Sequence, residues 1–292
     1  MSEYSDIIRK TFSMGDAERD KNNHIPDDII RYDNIRYDDK DEKWNLLDVY
    51  RPKNVIGKLP VILSVHGGGW VYGDKDVYQW YCMNLAERGF AVVNYSYRLA
   101  PEYQYPASFE DTTNVCNWII ENQEQYGFDI NHIFGVGDSA GAHMLSLFAC
   151  ALTNKEYNVP YALPTNFNFK AIALNCGVYL MQPESLGDTA KLMEDFLPNK
   201  GTNEEFHEIS SFNFITGNYP PCFIMTCPGD FLKEAPSKLI PVLEKNDVPF
   251  IYRHYGNKEN PLTHVFQCNI QLEDAKLCND EECNFFKEMS KK

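Results

Sequence analysis

Ser139 stands in Gly137-Asp138-Ser139-Ala140-Gly141, a serine set between glycines. The spacing fits GxSxG, in which a sharp turn from strand to helix makes the hydroxyl project instead of packing. The flanks supply that strand and helix: Ile133-Phe134-Gly135-Val136 is a short apolar run, and Ala142 to Leu152 is rich in helix formers. Such a serine can attack a carbonyl if a base takes its proton and donors hold the oxyanion. The five residues alone would also fit an ordinary glycine-rich turn, so the partners decide.

Upstream, Leu59-Pro60-Val61-Ile62-Leu63-Ser64-Val65 reads as a strand buried on both faces of a parallel sheet, and it runs directly into His66-Gly67-Gly68-Gly69-Trp70. Three glycines after a buried strand are costly in chain entropy unless the backbone needs unusual torsions or close approach by a ligand. Free N–H groups aimed at a developing oxyanion meet that description, each stabilising it by roughly 3 kcal/mol. The residue after the serine, Ala140, supplies a further N–H.

Four histidines follow Ser139. His143 is one helical turn along the same helix, poorly placed to swing onto the hydroxyl but able to line the site. His207 lies in an acidic, loop-like region, and His254 lies within the strand 249–255. His264 follows a polar turn just beyond that strand's carboxyl end, where open α/β sheets bind ligands, and is the expected base. Its acid should end the preceding strand: Asp230 follows the apolar run 222–227 and is expected to orient the imidazole. Glu234 is the second choice, better suited to a helix start. Asp138 is expected to be structural, pairing with backbone or a cation, and Arg98 and Glu102 to anchor loops.

The elements that must carry these residues alternate. An edge strand is expected over 45–50 and closes at Arg51-Pro52; a helix over 78–88 leads to a strand over 89–95, which implies a parallel crossover. A helix over 108–126 packs with Phe109, Val115, Cys116, Ile119 and Ile120 near one face. The interval between the strands at 170–176 and 222–227 is too long for one crossover helix, apolar, and broken by Pro183, Gly187 and Pro198. It reads as a helical cap. Residues 1–40 carry Ile7, Ile8 and Phe12 on one helical face, so they form either a covering amphipathic helix or a solvated leader.

His66-Gly67-Gly68-Gly69-Trp70, Tyr97-Arg98-Leu99-Ala100-Pro101-Glu102 and Gly137-Asp138-Ser139-Ala140-Gly141, in this order, resemble the hormone-sensitive lipase-like esterases of the α/β-hydrolase superfamily over about residues 46–266. The resemblance implies an oxyanion hole of Gly68, Gly69 and Ala140, supports Asp230 and His264 as the triad partners of Ser139, and implies that residues 1–40 and 178–220 together roof an acyl pocket. One departure is plain. Where that family has GDSAGG, this chain has Gly141-Ala142-His143, which is similar to GxSAGxH in arylformamidases and some sugar-acetyl esterases.

The expectation is one α/β-hydrolase catalytic domain over 1–292, an α/β fold with a mostly parallel central sheet, helices on both faces and a helical cap. Its activity would be that of a serine carboxylesterase for short- to medium-chain, including acetyl, esters, with Trp70, Tyr72 and His143 binding substrate. The alternatives are an arylformamidase, other amidase or peptidase on the same triad, or a non-catalytic binding protein on a hydrolase-like scaffold. A formal charge of -15 over 292 residues disfavours nucleic acid and anionic membranes as partners and leaves a small ester. The amino end lacks the basic and apolar pattern of a signal peptide and no stretch has the length of a membrane span, so a soluble, cytoplasmic protein is expected. Nine scattered cysteines read as small buried hydrophobes, with neither a metal nor a cofactor expected.

Overall fold

A computed structural model describes residues 2–292. Eight strands form one sheet: Ile29–Arg36 (β1), Leu46–Pro52 (β2), Leu59–Val65 (β3), Ala91–Tyr95 (β4), Phe128–Asp138 (β5), Ala171–Asn175 (β6), Cys222–Thr226 (β7) and Phe250–His254 (β8). Their order is β1-β2-β4-β3-β5-β6-β7-β8, antiparallel between β1, β2 and β4 and parallel across the rest. The helices are Glu3–Asp20 (α1), Lys75–Ala86 (α2), Ala107–Glu121 (α3), Gln123–Tyr126 (α4), Ala140–Thr153 (α5), Pro183–Leu186 (α6), Met193–Phe196 (α7), Asn203–Glu208 (α8), Ala235–Lys245 (α9) and Glu273–Met289 (α10).

Alternate strand residues build two cores. Val61, Leu63 and Val65 of β3 pack into one with α3, α5 and α9, while Ile62 points to the other with α2 and α10. This is why the central strands read as unbroken apolar runs: both faces are covered. The expected parallel sheet with helices on both faces is thus the architecture found, and all nine cysteines are free and buried.

The chain crosses from β3 through α2 to β4, then returns through α3 and α4 to pair β5 on the other side of β3. That reversal leaves a crevice at the carboxyl ends of β3 and β5, the position where open sheets place their sites.

The amino-terminal third differs from expectation. Residues 2–40 divide into α1, which lies over the loops at the carboxyl ends of the strands, and β1, the true edge strand; the segment expected at the edge, β2, lies one strand inward. Half of the β1 residues are exposed and only Ile29 is buried, so the strand lacks an apolar alternation. Its register shifts between Tyr32 and Ile35, where Asn34 takes φ 58° and donates its N–H to Asp48 Oδ1 at 2.7 Å.

Under the crevice, the buried Glu282 of α10 accepts from Tyr81 Oη at 3.1 Å and Asn175 Nδ2 at 2.7 Å. Burial pushes its carboxyl up to about 7, against the opposing pull of those bonds. The folded chain therefore binds this proton more tightly than the unfolded chain. The group's contribution to stability is complete below about pH 4 and is lost as pH rises through about 7. Urea unfolding of Glu282→Gln at pH 5 and pH 8 is expected to show a pH-dependent loss smaller than wild type by on the order of 2 kcal/mol. The same loss in both proteins would contradict this reading.

Candidate active site

β3 and β5 pair up to Val65 opposite Gly137, so the loops that follow leave the sheet side by side. Ser139 takes φ 51°, ψ −118°, a conformation that costs a non-glycine residue about 1–3 kcal/mol unless its surroundings impose it. Its N–H donates to Asn175 O on β6 at 2.9 Å, and α5 starts at the next residue. Gly141 allows this start: a Cβ there would lie 2.0 Å from Val65 O at the end of β3.

The glycine loop is equally confined. Gly68 has φ +117°, a Cβ on it would meet Tyr72 O at 2.0 Å, and its carbonyl accepts from Val71 N at 3.3 Å and Tyr72 N at 3.0 Å. Tyr78 Oη ties the loop to the nucleophile turn, accepting from Gly67 N at 3.0 Å and donating to Asp138 Oδ2 at 2.7 Å. Tyr97 stacks on His66 at 4.0 Å and donates to its carbonyl at 2.8 Å. The N–H groups of Gly68, Gly69 and Ala140 donate to no protein acceptor among the described residues.

Asp138 is structural as expected, but its partner is a phenol and not a cation. Burial raises its carboxyl to about 6, against the hydrogen bond from Tyr78 and the attraction of His264.

Asp230 and His264 follow β7 and β8, held level by a parallel bridge between Gly229 and Thr263. His264 Nδ1 lies 2.6 Å from Asp230 Oδ1. Asp230 also accepts from Thr226 Oγ1 at 2.6 Å and Leu232 N at 2.8 Å. Burial alone would raise this carboxyl; the hydrogen bond and charge of His264, with the Thr226 and Leu232 bonds, outweigh it and hold the group below the usual carboxylate range. The Ser139 hydroxyl is not hydrogen-bonded to His264 here; such contacts commonly tighten only around a substrate. Glu234 is exposed at the start of α9, and His207 and His254 lie on α8 and β8.

Ser139 and Ala140 wall a narrow space of about 20 Å³ with Gly69, Trp70 and Leu186. Val178, Leu186, Thr189, Phe231 and Leu232 are shared with a neighbouring chamber of about 430 Å³, closed on its far side by Tyr4 and Ile8 of α1. On the other side, His264, Gly68, Tyr72 and Phe12 line a hollow of about 320 Å³. Trp70 and Tyr72 therefore border these spaces, the Tyr72 hydroxyl donating to Asp16 at 2.9 Å.

His143 does not border them. It is fully buried and both ring nitrogens are engaged, with Trp70 Nε1 at 3.1 Å and Ile209 O at 2.8 Å, which corrects the expectation that it binds substrate. Arg98 and Glu102 are anchors: Arg98 pairs with Asp111 and Glu110, and Glu102 with Arg9.

Sequence reading missed Tyr78, which carries no local signal, and Phe231, whose ring lies 4.2 Å from that of His264. Adjacency to Asp230 could have flagged Phe231. Cys176, Asp230 and His264 bring possible ligand atoms within 4.8 Å of one another, but the aspartate and histidine are already bonded together.

A family model described as BD-FAE matches residues 47–234. The versiconal hemiacetal acetate esterase of Dothistroma septosporum is 28% identical over 256 residues, 78% of this chain and 73% of that protein. An acetyl esterase of Salmonella schwarzengrund is 27% identical, covering 74% of this chain and 69% of that one. A crystal structure of esterase B from Lactobacillus rhamnosis, inhibited by a C4-C4 tributyrin phosphonate, superposes with a TM-score of 0.89 at 26% identity over 100% of this chain and 97% of that one. The resemblance to α/β-hydrolase esterases read from the motifs agrees with these likenesses.

Gly141→Ala forces backbone against backbone, so either β3 or α5 must shift. It is expected to lower the unfolding free energy by about 4 kcal/mol or more. Gly15→Ala, at an exposed position of α1 on the rim of the hollow beside His264 with no atom within 4 Å of an added Cβ, should raise it by about 0.5–1 kcal/mol. Urea unfolding of the two variants beside wild type checks both signs.

Proposed function

The chain belongs to the BD-FAE family, and from that premise we propose a serine carboxylesterase that hydrolyses short- to medium-chain esters through an acyl-enzyme intermediate. The observation that carries this reading is the bonded His264–Asp230 pair at the strand ends, level with a serine held in a strained turn beside unpaired N–H groups.

The roles follow from donor and acceptor capacity. Asp230 stays ionised and accepts a hydrogen bond from His264 Nδ1–H, which leaves the Nε2 lone pair to accept the Ser139 proton. The serine oxygen attacks the ester carbonyl, and the N–H groups of Gly68, Gly69 and Ala140 hold the oxyanion. The imidazolium hands its proton to the departing alcohol as the acyl–oxygen bond breaks. Water then repeats the sequence on the acyl-enzyme and releases the acid and free serine.

The small space beside Ser139 has room for little more than an acetyl methyl, and a longer chain must extend past Leu186 and Phe231 into the larger chamber. The hollow beside His264 lies where the leaving alcohol receives its proton. α1 and residues 178–220 roof these spaces. The relatives named for acetyl esters and the butyryl-type phosphonate on the structural neighbour support the same size range. No helix among the described residues is long and apolar enough to cross a membrane. Nine free cysteines suit a reducing cytoplasm, and the net charge of -15 suits a small neutral ester over nucleic acid.

p-Nitrophenyl esters from acetyl to octanoyl test the reading, with an aryl formamide as comparison. Wild type is expected to prefer acetyl to butyryl esters over octanoyl and over the formamide. Ser139→Ala should lose at least ~1,000-fold in kcat, and Asp230→Asn on the order of 10,000-fold, as when an imidazole is left in the wrong tautomer. Undiminished hydrolysis by Ser139→Ala would end the proposal, and faster formamide turnover would transfer the triad to an amidase.

A further inference from the structure

Trp70 is a bulky residue held at φ 63°, directly after Gly68 and Gly69, which are also at positive φ. An isolated chain disfavours that conformation by about 1–3 kcal/mol, so neighbouring groups must hold it. Two do. The indole stacks on Phe196 of α7 at 5.2 Å and 24°, and its Nε1–H donates to His143 Nδ1 at 3.1 Å. The second nitrogen of His143 meets Ile209 O at 2.8 Å, in the segment after α8.

These partners dictate one protonation state. An indole N–H can only donate, so Nδ1 must carry a lone pair; a carbonyl can only accept, so Nε2 must carry the proton. The ring is on the first turn of α5, and its own backbone N–H donates to Ser139 O at 3.1 Å. One neutral imidazole thus joins the helix that bears the serine, the loop that bears Gly68 and Gly69, and the segment 178–220.

We propose that His143 is a positioning residue for the esterase reaction: through Trp70 it fixes the Gly68 and Gly69 N–H groups against Ser139, while its other nitrogen anchors the roof. This rests on the serine esterase reading above. The bond to Trp70 acts on the transition state, in which the oxyanion donors are engaged. The bond to Ile209 acts on the roof, and so on the binding of substrate.

Two substitutions separate the halves of the bridge. His143→Asn can place an amide oxygen where Nδ1 accepts from Trp70 but cannot reach Ile209. His143→Gln can place an amide N–H where Nε2 donates to Ile209 but leaves the indole unpaired. Trp70→Phe removes the same indole bond and keeps a ring on Phe196. With p-nitrophenyl butyrate, His143→Gln and Trp70→Phe are each expected to lower kcat by about tenfold or more with KM changed less than about threefold. The double variant should fall no more than about twofold below the poorer single, and His143→Asn should keep kcat within about threefold of wild type.

Thermal unfolding accompanies each variant, and Trp70→Phe carries the test if a His143 variant does not fold. Wild-type kcat in Trp70→Phe, losses that multiply in the double variant, or equal losses in the Asn and Gln variants would each overturn the inference. Ser139→Ala distinguishes the two failures: if it remains active the esterase reading falls, whereas if it is dead and Trp70→Phe is unimpaired only the positioning role falls.

Discussion

The contact on which the rest depends is between backbones: the first turn of α5 lies so close to the end of β3 that Gly141 has no room for a side chain beneath Val65 O. Because β3 and β5 are paired neighbours whose connections run in opposite directions, this approach brings the loop after one strand against the turn after the other. Ser139 takes its strained torsions there, and the unpaired N–H groups of Gly68, Gly69 and Ala140 come into one region. The interior on both faces of the sheet, which covers the central strands β3 to β7, holds that contact rigid enough for the strain to persist.

Two aspartates within this framework show how environment assigns roles to the same side chain. Asp138 is buried and among the described residues its carboxyl accepts a hydrogen bond only from the Tyr78 hydroxyl, so burial wins and the carboxyl rises to about 6. Asp230 is also buried, yet it receives an imidazole, a hydroxyl and a backbone N–H, and the charged form wins. The first suits a joint between two loops and the second suits a fixed negative charge behind a base. Nothing in the residue type separates them; the number of donors does.

Strands covered on both faces, glycines with no alternative, and polar residues just past strand ends leave local signals, and so the parallel sheet, the 66–70 loop, Ser139, Asp230 and His264 could be read from the chain. β1 could not, because an exposed edge strand with a bulge at Asn34 carries neither alternation nor an apolar run. Tyr78 escaped for another reason: its hydroxyl acts on loops 11 and 60 residues away, a relation that only the folded chain supplies. Nearness to Ser139 in sequence places His143 in the pocket. One helical turn places the side chain back toward the helix start, but the ring is then claimed by Trp70 and Ile209, and no spacing rule foretells a buried acceptor for an indole.

The cover over the site is joined to the catalytic loops by polar bonds as well as by packing. Asp195, on α7, accepts from Ser2 N and from the hydroxyls of Ser2 and Ser5 at the start of α1. Arg9 on the same helix donates to Val71 O at 2.8 Å and Ala100 O at 2.9 Å, and Ala100 N–H in turn donates to Trp70 O at 3.0 Å. The walls of the chamber and the loop that carries Gly68 and Gly69 therefore share anchors. A shift of α1 would move Val71 and, through Ala100, Trp70, which also bears on Phe196. In the proposed esterase reaction, acyl fit and oxyanion geometry are therefore coupled through α1, Ala100 and Trp70, because an acyl chain that bears on α1 bears on the Gly68–Gly69 loop through the same bonds.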